Sequence, residues 1–387
     1  SVRLELDSKS VFFRIDEEII IMKIQAAVVR EQSGPFDVSE LDLAEPKDDE
    51  VLVKIVGVGI CHTDLVCRDQ YFPVPLPCVF GHEGSGIIEK VGRQVVGFEK
   101  GDHVAVSYKT CGSCEPCLQG QIGYCHGLYE HNFNGTRPDG SSALSENGET
   151  VHGHFFAQSS FASHALCHAS NLVKVDHSLP LELLGPLGCG IQTGAGAVMN
   201  ALKPQAGTSI AIFGAGTVGL SAVMAAHIVG CGTIIAIDLK DDRLATATEL
   251  GATHTINASD NDVVTKIHEI TGSGTHFSLE CTGIPQVARQ AVDCLTLTGV
   301  CGVMGVSPAG TEFNLDMNSV LFGRSVRGII EGDSVPRVFI PRLIDLYQQG
   351  RFPFDKLIST YSFADINQAV EDVESGKVIK PVLLMDA

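Results

Sequence analysis

Four cysteines, Cys111, Cys114, Cys117 and Cys125, stand in the spacing C-x₂-C-x₂-C-x₇-C. Four soft thiolates on so short a stretch can enclose one ion in the tetrahedral sulfur shell of a closed structural zinc site. The intervening Thr110, Gly112, Ser113 and Pro116 are small or turn-forming, as suits a backbone folded around a metal. Two other readings compete. A plant-type iron–sulfur cluster uses a longer first gap, and the bacterial run ends in a shorter last gap followed by proline. A disulfide knot fits poorly with thirteen cysteines in an acidic, mid-sized chain, where thiols more often serve as metal ligands or core residues. Structural zinc is the preferred reading, and it only holds a lobe together.

A second constellation, Gly214-Ala215-Gly216-Thr217-Val218-Gly219, directly follows the apolar run Thr208–Phe213 and opens an alanine-rich stretch from Leu220 to Val229. In such a strand–turn–helix the first glycine allows a tight turn, the second lets a pyrophosphate approach the backbone, and the third lets helix pack on strand. A lone G-x-G-x-x-G is weak. Here a second apolar run, Ile234–Ile237, ends in Asp238, where an acid that holds an adenosine ribose is expected. A carboxylate there accepts bonds from ribose hydroxyls and repels a 2′-phosphate, so NAD is preferred to NADP.

A third set is scattered: Cys61 in Gly59-Ile60-Cys61-His62-Thr63-Asp64, His82 and Glu83 in Gly81-His82-Glu83-Gly84, and Cys189 in Gly188-Cys189-Gly190. Two thiolates, one imidazole and a water make a catalytic zinc site with an open position. With fourteen histidines and thirteen cysteines, spacing alone does not bring these three together; buried cysteine is usually packing.

The elements that must position these groups fall into two textures. From Ile24 to Ser107 the chain reads as short strands broken by turns, among them Glu50–Val56, Gly86–Val91 and His103–Val106. The polar run from Asn132 to Val151 reads as a surface loop. After Cys189 a small-residue helix is expected over 190–201, followed by strand–helix alternation to about Ile330, with strands at Thr208–Phe213, Thr233–Ile237, Phe277–Glu280, Gly299–Val306 and Ser325–Gly328. That is the rhythm of a doubly wound parallel sheet. A helical tail from Val335 and a last strand at Pro381–Met385 are expected to return to the first body.

At 387 residues the chain suits two domains, and 44% hydrophobic residues are enough for substantial cores. A formal charge of −19 argues against nucleic acid or an anionic membrane as partner, and no apolar run is long enough to cross a bilayer. The first residues carry early acids and lack a signal peptide's apolar region, so a cytoplasmic location is expected. Residues 1–21, which precede Met22, read as an extension of unknown role.

Together these segments closely resemble the zinc-dependent, medium-chain alcohol dehydrogenases from about Ile24 onward, with the motifs in the family's order. Within that family, Cys61–Pro77 (CHTDLVCRDQYFPVPLP) and Gly185–Ala197 (GPLGCGIQTGAGA) are most similar to bacterial benzyl-alcohol (aryl-alcohol) dehydrogenases. The resemblance implies an α/β chain with a GroES-like β-rich catalytic domain (22–190 and 331–387) and a Rossmann NAD-binding domain (191–330). It implies two zinc ions, a catalytic one on Cys61, His82 and Cys189 and a structural one on the four-cysteine lobe. Glu83 would lie behind the catalytic metal as a transient ligand, and Asp64 would orient His82. Thr63 would bond the substrate oxygen and begin a proton path through the nicotinamide ribose, while His62, and Lys380 on the match of Ser375–Lys380, would face the cofactor's pyrophosphate. A surface lysine is the alternative reading of Lys380. Phe72 would stand beside the reacting carbon, and Arg68 is either a surface charge or a pocket-rim group.

The activity so implied is oxidation of a primary aromatic alcohol to its aldehyde. Zinc lowers the alcohol's pKa, and the alkoxide carbon delivers hydride to nicotinamide. Many relatives carry a relay histidine where this chain has Val66, so the relay must end at ribose, water or His62. Small-molecule alcohols and aldehydes and copies of the chain itself, as homodimer or homotetramer, are the expected partners. The alternatives are a glutathione-linked formaldehyde dehydrogenase, which needs positive charge at the pocket mouth, and a catalytically silent NAD-binding relative. A polyol dehydrogenase would commonly carry glutamate at the position of Cys189.

Overall fold

The structure, a computed structural model, describes residues 22–259 and 262–385. The extension read over 1–21 lies outside them. Six parallel strands form one sheet, in the spatial order His254–Asn257, Thr233–Asp238, Ser209–Phe213, Thr275–Glu280, Leu295–Val303 and Ser325–Gly328. Parallel neighbours need crossovers, and the helices Thr217–Ile228, Asp241–Glu249, Val263–Thr271 and Pro285–Asp293 are among the connections. The order reverses between Ser209–Phe213 and Thr275–Glu280, and a crevice opens at such a switch point, beyond the strands' carboxyl ends. All of Ser209–Phe213 is buried, as is the run Gly219 through Ala226 on the following helix. Those segments are therefore apolar all round and show no amphipathic stripe.

Two sheets, antiparallel but for one strand pair, make up the β-rich body. In one, Met22–Val29 pairs with Asp37–Leu43, flanked by Cys78–Val79 and the hairpin Leu144–Glu146/Glu149–Val151. In the other, Glu50–Gly59 lies between Glu83–Val91 and the C-terminal strand Lys380–Leu384, with Val382 opposite Gly59. Ile358–Ser362 pairs in parallel with that last strand, so the tail rejoins the first body as the sequence leads one to expect. The helical tail is Pro336–Gln348.

Two expectations need correction. The run 132–151 is no surface loop: Asn132 and Arg137 are buried and its second half is a hairpin. Asn147 and Gly148, with φ of 51° and 85°, supply the two left-handed residues that a tight hairpin turn demands. The strand expected to continue to Val306 ends at Val303; the amides of Met304 and Gly305 bond the carbonyl of Glu280 instead, turning the next residues into the crevice.

Candidate metal centre and active-site cleft

Cys61 caps the short helix His62–Arg68, and Asp64 in its first turn is fully buried. A buried carboxylate must have its lone pairs filled, and Asp64 meets three donors. Its Oδ2 accepts from the amide of Cys61 at 2.9 Å, and its Oδ1 accepts from the amide of Gly81 at 3.1 Å and lies 2.8 Å from His82 Nδ1. One side chain thus ties the cysteine loop to the histidine loop and fixes His82 with Nδ1 as donor, so that Nε2 is the free lone pair. Nε2 is buried and has no hydrogen-bond partner.

Cys189 enters from another direction, between the turn Gly185–Gly188 and the helix Gly190–Gly196. The ligand atoms of Cys61, His82, Glu83 and Cys189 all lie within 4.8 Å of one another. A hydrogen bond from Cys189 pulls the Cys61 thiol well below its ordinary range, against the opposing effect of burial, and the Cys189 thiol is pushed up in return. Two sulfurs, one orphaned imidazole nitrogen and a nearby carboxylate are a donor set suited to zinc. The residues fit the ion that the sequence implies.

Lys380 is not at the surface. It is 2% exposed, and its Nζ donates to both carboxylate oxygens of Glu83, at 2.8 and 3.1 Å, and to the carbonyl of Ile60 at 2.9 Å. Burial opposes its charge, yet Glu83 more than offsets this and pushes the ammonium's pKa above its ordinary value. Lys380 is thus a buried residue ion-paired with Glu83 rather than a surface lysine.

The sequence reading missed Glu331. Its Oε1 lies 3.4 Å from Cys189 Sγ, and its Oε2 accepts from Gln192 Nε2 at 3.2 Å and Thr193 Oγ1 at 3.4 Å. Burial pushes its carboxyl up to about 7. Glu331, Gly332 and Asp333 all have φ between 49° and 65°, a costly run for residues with side chains. Asp333 fixes the turn by accepting from Tyr124 and Arg327, both at 2.7 Å.

Beside this centre opens a cleft of about 560 Å³. Thr63 and His62 lie on its wall, Thr63 Oγ1 being 3.8 Å from Cys61 Sγ. Phe72 lines it too, its ring centroid 5.8 Å from that of Phe133. The sequence pass did not single out the rest of the aromatic wall: Tyr129 stacks on Phe133, and Phe156 stacks on His82 with centroids 4.3 Å apart. Cys281, Met304 and Val306 come from beyond the parallel strands. Arg68 is not part of the wall. It is held between Asp69 at 2.8 Å and Glu374 at 3.0 Å, and Val66 is buried.

At the sheet's switch point, Gly214 has φ of 95°, and a Cβ on Gly219 would lie 1.8 Å from the Gly214 carbonyl. A Cβ on Gly216 would meet nothing within 4 Å, leaving the approach to the Thr217–Ile228 helix open. Asp238 accepts from the amides of Ala215 at 2.7 Å and Lys240 at 3.0 Å, bridging the turn to the second strand's end.

In the cysteine lobe, Cys111 and Cys117 sulfurs are 3.9 Å apart, as are those of Cys114 and Cys125. All four fall within 4.8 Å of one another. Amides of Ser113 and Cys114 point at Cys111 Sγ and bring its pKa down to about 5, the electrostatics of a thiolate ready for a metal. Of the other seven cysteines, Cys67, Cys78, Cys167, Cys231, Cys294 and Cys301 are buried, and Cys281 is half-buried.

Comparison with known proteins accords with this geometry. Residues 47–177 match the alcohol dehydrogenase GroES-like domain family, and residues 217–349 match the zinc-binding dehydrogenase family. The geraniol dehydrogenase of Castellaniella defragrans is 47% identical over 364 residues, covering 93% of this chain and 97% of that protein. The structure of benzyl alcohol dehydrogenase from Acinetobacter calcoaceticus aligns with a TM-score of 0.92 and 48% identity over 94% of this chain and all of that one. An alcohol dehydrogenase zinc-binding domain protein from Burkholderia ambifaria gives 0.93 and 52% over 95% of this chain and 100% of that one. With its thiolate–imidazole centre, parallel nucleotide-type sheet and intervening cleft, the chain belongs to the zinc-dependent medium-chain alcohol dehydrogenase family.

Proposed function

We propose that this chain is an NAD-dependent zinc alcohol dehydrogenase for primary alcohols whose carbinol carbon adjoins a π-system, benzyl alcohol being the type substrate. The observation that carries the reading is the aromatic wall of Phe72, Tyr129, Phe133 and Phe156 against the imidazole of His82. Such a wall binds flat apolar groups through area burial and ring packing. Benzyl alcohol and geraniol share an apolar body and an sp² carbon next to the carbinol, and enzymes for each are relatives of this chain.

Cys61, His82 and Cys189 would hold a zinc ion, which would supply Lewis acidity toward the substrate oxygen, and NAD would supply the hydride acceptor. Thr63 receives the substrate's hydroxyl proton hydrogen bond at the cleft wall and orients that oxygen. His62, exposed at the cleft's edge, is the residue able to pass a proton to solvent, since buried Val66 has no polar atom. Asp64 keeps His82 in one tautomer, and the Glu83–Lys380 pair offsets negative charge behind the centre. Phe156 and Phe133 exclude water and align the carbinol carbon. Gly216 and the following helix receive the pyrophosphate, and Asp238 selects the unphosphorylated ribose. Cys111, Cys114, Cys117 and Cys125 would hold a second zinc.

The glutathione-linked alternative lacks support, because no lysine or arginine is among the described residues lining the cleft. Copies of the chain associate through the last strand of the parallel sheet, Ser325–Gly328, whose residues are all exposed. Beside it Met317, Leu321 and Phe322 are 86%, 75% and 61% exposed, an apolar edge that calls for a cover.

The ratio of kcat/KM for benzyl alcohol to that for ethanol, with NAD and zinc-replete protein, tests the reading. A large ratio, matched by geraniol, supports it. A ratio near unity removes the aromatic assignment, and no turnover of any of the three revives the silent relative.

A further inference from the structure

A second hollow of about 200 Å³ is lined in part by the bases Lys47, Lys109 and Arg137 and the acids Asp49, Glu50 and Asp139, with His154 and His168 beside them. It is separate from the cleft but joined to it by two short links. His154 immediately precedes Phe155 and Phe156, and Asn132, on the cleft wall, bonds both backbone groups of Lys109 at 2.9 Å.

Most charges in the hollow are matched. Arg137 donates through Nε and Nη2 to the two oxygens of Glu50, each at 2.7 Å. Burial disfavours the Glu50 carboxylate, and Arg137 with the Lys47 amide outweighs this and holds its carboxyl below the usual range. The Lys47 ammonium pairs with Asp139. His168 Nε2 is 3.4 Å from Asp49, whose side chain is 57% exposed, and His154 Nε2 is 3.6 Å from Glu50. Burial lowers the pKa of both histidines, that of His154 to about 4, so both are neutral near pH 7.

Lys109 is the exception. It is 7% exposed, and among the described residues its ammonium makes no hydrogen bond or ion pair; Asp49 and Glu50 act on it only at a distance, against a dominant desolvation that lowers its pKa. An unpartnered ammonium on so buried a side chain, facing a small hollow, is poorly hydrated, and a bound counter-ion offsets that cost. Arg137, whose Nη1 bonds no described residue, lines the same hollow. We propose that this hollow is a binding site for a small oxyanion, seated on the Lys109 ammonium with Arg137 as second donor, outside the catalytic cleft. Its volume suits a phosphate, a sulfate or a short carboxylate and is too small for a nucleotide.

The test is calorimetric titration of the zinc-replete enzyme with inorganic phosphate, sulfate and acetate at constant ionic strength. NADH is present throughout, so that the cleft's own phosphate-binding turn is filled. The expected result is saturable binding of at least one anion, weakened at least about tenfold by Lys109→Met, with kcat/KM unchanged. Preference for phosphate and sulfate marks a tetrahedral oxyanion as the ligand, and preference for acetate marks a carboxylate. No saturable heat, or heat that Lys109→Met leaves unaltered, overturns the proposal. A selenate soak of crystals of the unmutated chain gives a reading that does not depend on the variant's folding. An anomalous peak within hydrogen-bonding reach of Lys109 Nζ supports the site, and its absence together with no saturable acetate binding refutes it.

Discussion

The ring of Phe156 lies on that of His82, centroids 4.3 Å and planes 24° apart, so the imidazole expected to bind zinc also forms part of the substrate's aromatic wall. Replacing Phe156 by leucine keeps the volume apolar and removes the stacking. We expect kcat/KM for benzyl alcohol to fall about fivefold, in line with the ~1 kcal/mol of a ring pair, with little change for ethanol. Equal losses for the two alcohols would place Phe156 outside substrate recognition.

Asp64 holds the same imidazole from the other side, at 2.8 Å. Asp64→Asn removes the charge that fixes the tautomer, and zinc affinity should drop about 10- to 100-fold. Competition with a chromophoric chelator measures this directly, and an unchanged affinity would deny Asp64 its orienting role.

Cys114 is one of four sulfurs in the lobe. Cys114→Ser should lower bound zinc from about two to about one per chain and make 111–125 the first segment cut by a protease. Variant protein that keeps its full zinc content and protease resistance would remove the structural assignment.

His154 gives a pH dependence with a defined sign. The unfolded residue takes up a proton near 6.5, and the folded one only near 4. Between those values the unfolded state binds more protons, so the stability from neutral His154 is complete above about pH 6.5 and lost as pH falls to about 4. The gap corresponds to ~3 kcal/mol. Asparagine tolerates the φ of 62° that His154 adopts. In urea unfolding at pH 7 and pH 5, His154→Asn should lose ~2 kcal/mol less than the parent chain. Parallel losses would contradict a neutral buried imidazole.

Leu321, 75% exposed near the sheet's last strand, should lie in a subunit contact. Leu321→Glu places a charge there in every copy and should weaken association by at least ~100-fold. Light scattering at micromolar concentration would then show a smaller particle; an unchanged mass would move the interface elsewhere.

What the sequence disclosed and what it hid follow from the reach of each interaction. The four-cysteine lobe and the Gly214–Gly219 turn are local, since each motif's chemistry is complete within a few residues and Asp238 lies one strand on. The hairpin after Asn132 was equally local and carried its signal in Asn147-Gly148; the polar composition around it masked the turn. Glu331 could not be read. It meets Cys189 across 142 residues, no spacing announces it, and a left-handed turn aims it. The pairing of Lys380 with Glu83 was equally hidden, because the two sit 297 residues apart. The aromatic wall draws on separate helices and turns, and only packing assembles it.

That long reach also sets an order of events during synthesis. Glu83 leaves the ribosome 297 residues before Lys380, whose strand Lys380–Leu384 pairs with Gly57–Gly59 and brings the neutralising ammonium to Glu83. Until then the nascent chain exposes an unpaired strand edge and an uncompensated carboxylate at its metal pocket. The centre is therefore assembled only once that strand has docked, and until then the open edge is a site for unwanted pairing.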